Sequence, residues 1–291
     1  MTAQRTSRRQ LMHSAARSAL GLVTAATPQI AGAASAEPTL VFVVLRGGAD
    51  ALSLVVPYAD PDYYRVRVRT AIAAPGVDAA CALDLDGRVG LHPRLAPLLP
   101  LYRAAELGVV MGTGMGDSNH RHGDAQRRIE ALLASSVGAP LERAPRPVAL
   151  GARLADVAAS ILRSRDSASA FLVDSEGWDT HAAQGAATGR LALRCAELAQ
   201  ELAVFRARLD TVLSRVIVVV TSEFGRTITE TAMAGTDDGG ASVALVLGNT
   251  AYAGRVRGEM PDLSRGRHLA VTTELRHWLP GLCARAPGVS A

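Results

Sequence analysis

Four apolar runs in this sequence are each followed at once by residues able to do chemistry. Behind 40–45 stand Arg46, Gly47, Gly48, Ala49 and Asp50; behind 107–111 comes GTGMGDSNHRHGD. Behind 170–173 come Asp174, Glu176, Asp179 and His181, and behind 216–220 come Ser222, Glu223 and Arg226. Ligands of open α/β sheets gather beyond the carboxyl ends of the strands, so these are candidate metal ligands or anion binders. Carboxylates and imidazoles are the donors that divalent ions take, and a carboxylate-rich set favours hard or borderline ions. Asp179-Thr180-His181 sets a carboxylate and an imidazole two residues apart, which in an extended loop turns both to one side and lets them reach one ion. The same pair can instead accept backbone N–H groups and cap the following helix.

Gly112-Thr113-Gly114-Met115-Gly116 can bring backbone N–H groups close to an anion at a helix start, or can be a plain turn. It lacks the Lys-Ser/Thr of a phosphate loop and the dinucleotide spacing, so no nucleotide cofactor is indicated. Ser118 and His122 stand at the entrance of the next helix, Ser118 as a nucleophile or as an N-terminal cap. No Gly-x-Ser-x-Gly elbow occurs and His92 lies in an apolar, proline-rich packing segment, which disfavours a serine-hydrolase triad. Arg226 can clamp an anionic substrate or pair with Glu223 or Glu230; Ser118, His122 and Arg226 are the candidate catalytic residues.

These positions require a sheet behind them. The apolar runs, with a fifth at 243–247, read as buried strands. Helical spacing appears between them at 123–133, 154–162 and 191–213, the last carried by Leu191, Cys195, Leu198, Leu202, Phe205 and Leu209. Alternating strands and helices predict an α/β fold with a mostly parallel central sheet. LDLDGRVG, residues 83–90, reads as a hairpin with Asp86-Gly87 at the turn. Pro140, Pro145 and Pro147 interrupt the middle without a polar linker, so residues 37–291 are read as a single α/β domain.

The chain has 291 residues, 48% hydrophobic and 20% charged, and every basic residue is arginine, a globular composition. Its +4 formal charge comes from residues 1–36, which hold Arg5, Arg8, Arg9 and Arg17 and no acid; the remainder sets 27 arginines against 27 acids. A body without basic excess is a poor partner for phosphate backbones, so no nucleic-acid partner is expected. TSRRQLM, an uncharged stretch to Ala36 and the small residues AGAASA read as an export signal. Pro28, Gln29 and several Ser and Thr argue against a stable membrane anchor. Cys81, Cys195 and Cys283 show no metal spacing, and allow one disulfide or none.

Ser7-Arg8-Arg9-Gln10-Leu11-Met12 resembles a twin-arginine signal, implying the twin-arginine translocase as export partner and a periplasmic or extracellular location. The blocks LVFVVLRGGADALSLVVPYADPDYYRVR, ALDLDGRVGLHPRLAPLLPLYRA, HGDAQ, GWDTHAAQ, SEFGRT and AGTDDGG resemble, in order, the bacterial "domain of unknown function 1501" family, from about Leu40 to Trp278. That family is grouped with alkaline phosphatases and sulfatases. The resemblance implies a three-layer α/β/α sandwich with a mostly parallel central sheet, alkaline-phosphatase-like, with one or two divalent ions, Mg, Mn, Ca or Zn, and an anionic ester substrate. By this resemblance Asp50, Asp179, His181 and Glu223 are metal ligands. Asp238 stands where relatives usually keep a histidine, and Arg121 where they usually keep a serine. An aspartate there exchanges a nitrogen ligand for a harder oxygen. Two functions follow as expectations: a metal-dependent hydrolase of phosphate or sulfate esters, or a non-catalytic exported binding module that retains the fold around a degraded metal site.

Overall fold

All five apolar runs form strands of one sheet. The computed structural model describes residues 38–116, 122–136, 140–145, 149–163, 170–260 and 262–284. The chain begins with β1 (Thr39–Leu45), the one-turn helix α1 (Ala51–Leu54), β2 (Val55–Val56) and α2 (Pro61–Val66). The hairpin strands β3 (Leu83–Asp84) and β4 (Gly90–Leu91) follow, then a 3-10 segment (Pro93–Leu98) running into α3 (Leu99–Arg103). Next come β5 (Leu107–Gly114), α4 (His122–Ser136), β6 (Leu141–Arg143), α5 (Leu150–Arg163), β7 (Ala170–Ser175) and α6 (Arg190–Arg208). The carboxyl-terminal part holds β8 (Val216–Ser222), β9 (Gly225–Arg226), β10 (Asp238–Gly239), β11 (Ser242–Leu247), β12 (Val256–Arg257), β13 (Thr273–Glu274) and α7 (Leu275–Ala284).

The main sheet runs β12-β5-β11-β8-β1-β7-β6, with β13 also on β5. Its pairs are parallel except those of β11, which is antiparallel to both β5 and β8. Side chains of β1 alternate between two cores: Val41, Val43 and Leu45 face α5 and α6, while Leu40, Phe42 and Val44 face α4 and α7. Because both faces are covered, side chains of either direction are apolar along the middle of each strand and polar residues stand only at the ends, which explains why β1, β7 and β8 read as continuous apolar runs. The expected α/β/α layering with a mostly parallel sheet is therefore present.

Local differences have physical reasons. Helix α6 stops at Arg208, short of the predicted 213. Leu209 beyond it is still fully buried, so the apolar spacing outlasts the helix. The 83–90 hairpin holds: Asp86 Oδ1 accepts the N–H groups of Arg88 and Val89, and Gly87 sits at φ +80°. Gly112 and Gly114 form neither a cradle nor a turn but continue β5. A Cβ on Gly112 would stand 2.0 Å from Thr272 Oγ1, and one on Gly114 2.6 Å from Val271 Cγ2, so these glycines let the segment entering β13 lie against the strand. Cys81 and Cys195 are free thiols. Among the described residues no helix is long and apolar enough to cross a membrane.

Candidate functional site

The carboxyl ends of β1, β7 and β8 stand side by side in register, Leu45 opposite both Ser175 and Ser222. The three loops leaving them form a crest. The β1 loop crosses it through Gly47 (φ +110°) and Gly48 (φ +79°). A Cβ on Gly47 would stand 2.6 Å from the Asp179 nitrogen, and one on Gly48 2.4 Å from Phe224 Cε2, so only glycine lets the loops lie this close.

Arg226 occupies the middle of the crest and is fully buried. Its Nε donates to the Gly48 carbonyl (2.5 Å), Nη1 to the Thr236 carbonyl (2.9 Å), and Nη2 to the Gly47 carbonyl and Asp179 Oδ1 (2.8 Å). Asp238 Oδ1 lies 3.3 Å from Nη1 as an ion pair. The expected partners Glu223 and Glu230 are replaced by Asp179 and Asp238, because the turn after β8 carries Arg226 back over the two glycines. Glu230 instead binds Arg69 and the N–H groups of Arg69 and Thr70.

His181 stands half-exposed on the outer side of this pair. Its Nε2 is 3.3 Å from Asp179 Oδ1 and 3.6 Å from Asp238 Oδ1, and its Nδ1 is 3.0 Å from Asp237 Oδ1. Asp237 also accepts from Arg267 Nη2 (2.5 Å). The hydrogen bond from His181, with the charge of Arg267, holds the Asp237 carboxyl below its ordinary range against a smaller opposing effect of burial. Asp238 Oδ1 is buried and has no hydrogen-bond donor, although Arg226 Nη1 and His181 Nε2 lie within 4 Å of it.

Asp50 belongs to a second network, behind the crest. It is fully buried and accepts both Arg67 nitrogens (Nη1 2.5 Å, Nη2 2.9 Å), the Ser53 hydroxyl (2.7 Å) and Gln184 Nε2 (2.7 Å). Arg67 also donates to the carbonyls of Thr227 and Ile228, and Gln184 Oε1 accepts the hydroxyls of Thr180 and Thr236. Burial alone would raise the Asp50 pKa, but the charge and hydrogen bonds of Arg67 outweigh it and hold it below the ordinary value. Glu223, also buried, accepts the Gly47 N–H at 2.9 Å. On the neighbouring flank Asp174 takes Arg46 (2.5 Å) and Arg143 (2.8 Å).

Of the five expected metal ligands, the structure thus brings together Asp179, His181 and Asp238 and joins them to Arg226; Asp50 serves Arg67, and Glu223 serves the β1 loop. Ser118 and Arg121 lie outside the described residues, as does the His122 side chain, so neither the nucleophile nor the acid–base candidate has a described position. Residues 1–36 also lie outside. Among the described residues no group of three or more His, Cys, Asp or Glu is arranged to hold a metal ion. The donor chemistry gives the reason. A guanidinium fills the space between the Asp179 and Asp238 carboxylates, and a divalent ion entering there meets its positive charge. The residues do not fit a metal in this arrangement. A cavity of about 630 Å³ bounded by Asp60, Arg88, Met111, Glu259 and Met260 shares no residue with the crest.

Arg67, Gln184 and Thr236 carry much of this architecture and were not singled out by sequence. Arg67 sits in YYRVRVRT, where alternation with Arg65 and Arg69 gives no sign that one arginine alone is buried. Gln184 closes the GWDTHAAQ block, and its presence there was the one available signal.

The chain is an α/β protein with a mixed, mostly parallel sheet flanked by helices. Residues 147–273 match the family described as "Protein of unknown function (DUF1501)", a stretch that includes the GWDTH, SEFGRT and GTDDGG blocks but is shorter than the expected span from Leu40. No curated protein matches the chain. Among solved structures it is similar to the C-terminal periplasmic domain of EptC from Escherichia coli, in complex with Zn, at 9% identity, covering 73% of each chain, TM-score 0.38. It is also similar to the lipoteichoic acid synthase LtaP from Listeria monocytogenes at 10% identity, covering 84% of this chain and 76% of that one, TM-score 0.42. A third likeness is to the PsFucS1 sulfatase from Pseudoalteromonas sp., at 11% identity, covering 84% and 68%, TM-score 0.27.

Proposed function

We propose that this protein is an exported binding module that keeps an alkaline-phosphatase-like fold and does not hydrolyse esters through a metal. The observation that carries the reading is the position of Arg226, whose buried guanidinium spans Asp179 and Asp238, the two carboxylates a metal centre would need. Asp50, the acid expected to complete such a centre, is held by four protein hydrogen bonds. Export follows from the twin-arginine-like leader, with the translocase as its partner and the periplasm or exterior as its destination. Purified protein is expected to contain no stoichiometric metal and to leave aryl phosphates and aryl sulfates unreacted in Mn, Mg, Zn or Ca.

The metal-dependent hydrolase is the second reading. Asp238 Oδ1 favours it, because this buried oxygen still lacks a donor beside His181. One equivalent of bound metal, with ester turnover lost in Asp179→Ala, would establish that reading and remove the first.

A further inference from the structure

We propose that Arg226 is the resident cation of the crest, supplying from the chain the positive charge that a divalent ion would otherwise bring. The inference rests on reading the crest as a metal-free centre. All three guanidinium nitrogens are engaged: two backbone carbonyls of the β1 loop, the Thr236 carbonyl, and the Asp179 and Asp238 carboxylates. These five partners are oxygens, three neutral and two anionic, drawn from three separate loops. Oxygen donors of this kind are what Ca²⁺ and Mn²⁺ take, with the His181 imidazole beside them as a sixth, nitrogen donor.

The guanidinium satisfies the set incompletely. Its fork is planar and its donors point in fixed directions, so it binds Asp179 and the three carbonyls closely and leaves Asp238 Oδ1 at ion-pair distance without a hydrogen bond. A spherical cation has no such directional limit. Removing the charge of Arg226 while keeping a polar side chain leaves Asp179 and Asp238 beside His181 Nε2 without their guanidinium, while Asp237 on the Nδ1 side keeps Arg267 as its charged partner. It also frees the carbonyls of Gly47, Gly48 and Thr236. The resulting group becomes a site for a divalent cation.

The test uses the full chain and the metal ions themselves. Arg226→Gln is expected to gain about 5–10 °C in melting temperature from Ca²⁺ or Mn²⁺ at a hundredfold excess over Kd, while the unaltered protein and Arg226→Lys gain none. An Arg226→Gln protein that folds and is indifferent to both ions overturns the proposal, as does an equal response in Arg226→Lys, where the charge is kept. If Arg226→Gln is unfolded alone, either ion is expected to restore its folding, and failure to do so also overturns the proposal. A metal response in the unaltered protein instead overturns the metal-free reading of the crest, which separates the two failures.

Discussion

Asp50 and Arg67 offer the most direct quantitative check on this architecture. Both side chains are buried, and two hydrogen bonds join them, at 2.5 and 2.9 Å. In Asp50→Asn the shape survives, but Arg67 is left as a buried cation without its counter-charge. Breaking one side of such a pair costs about 3–5 kcal/mol, which for a chain of this size is a fall of about 6–20 °C in melting temperature. The pH dependence adds a signature. The folded-state pKa of Asp50 is depressed, so its contribution is complete above the unfolded carboxylate value near pH 4 and is lost as pH falls through the lower folded value. Urea denaturation of both proteins between pH 7 and pH 3 measures this: the difference in stability is large at pH 7 and narrows on acidification. A loss below about 1 kcal/mol at pH 7, or a difference independent of pH, refutes the buried pair. Chelator added to either protein is expected to change nothing, because Asp50 answers to Arg67.

Further outcomes follow from other positions. Gly47→Ala adds a Cβ 2.6 Å from the Asp179 nitrogen at φ +110° and is expected to cost about 2 kcal/mol or more in chemical denaturation. His92 is fully buried, and burial pushes its pKa down to about 4; the hydrogen bond with the Ala186 carbonyl only partly opposes this. Because the folded value is depressed, stability is complete above the unfolded value near 6.5 and falls by up to roughly 3 kcal/mol as pH drops toward 4, a slope that calorimetry should find flattened in His92→Asn. Replacing Arg8 and Arg9 together by lysine is expected to leave precursor in the cytoplasm on cell fractionation, and normal processing would point to a different export route.

The sheet was legible because burial on both faces makes long apolar strands, and their alternating burial needs no knowledge of partners. The crest was legible as a location for the same reason: it is where those strands stop. Which acids meet there was not legible. Asp50 and Asp179 both follow strands, yet one turns inward to an arginine 17 residues later and the other faces an arginine 47 residues later. Such pairings are fixed by how three loops pack, and residue type and spacing carry no trace of them. The glycines of GTGMG misled in a different way. Their function is to admit a neighbouring backbone, and a missing side chain looks the same in sequence whether it makes room for an anion or for Val271 and Thr272.

The antiparallel placement of β11 has a consequence for how this surface can change over evolutionary time. Since β8 rises to the crest and β11 descends from it, residues 223–241 form an arch with both feet in the middle of the sheet. Arg226, Asp237 and Asp238 all ride on that arch. Its two feet are fixed by the sheet, while its span is tied to neighbouring loops through Arg226 and through the Thr227 and Ile228 carbonyls that accept Arg67. A change in the arch is therefore felt by the β1 loop and by the Asp50–Arg67 pair as well as at the crest itself.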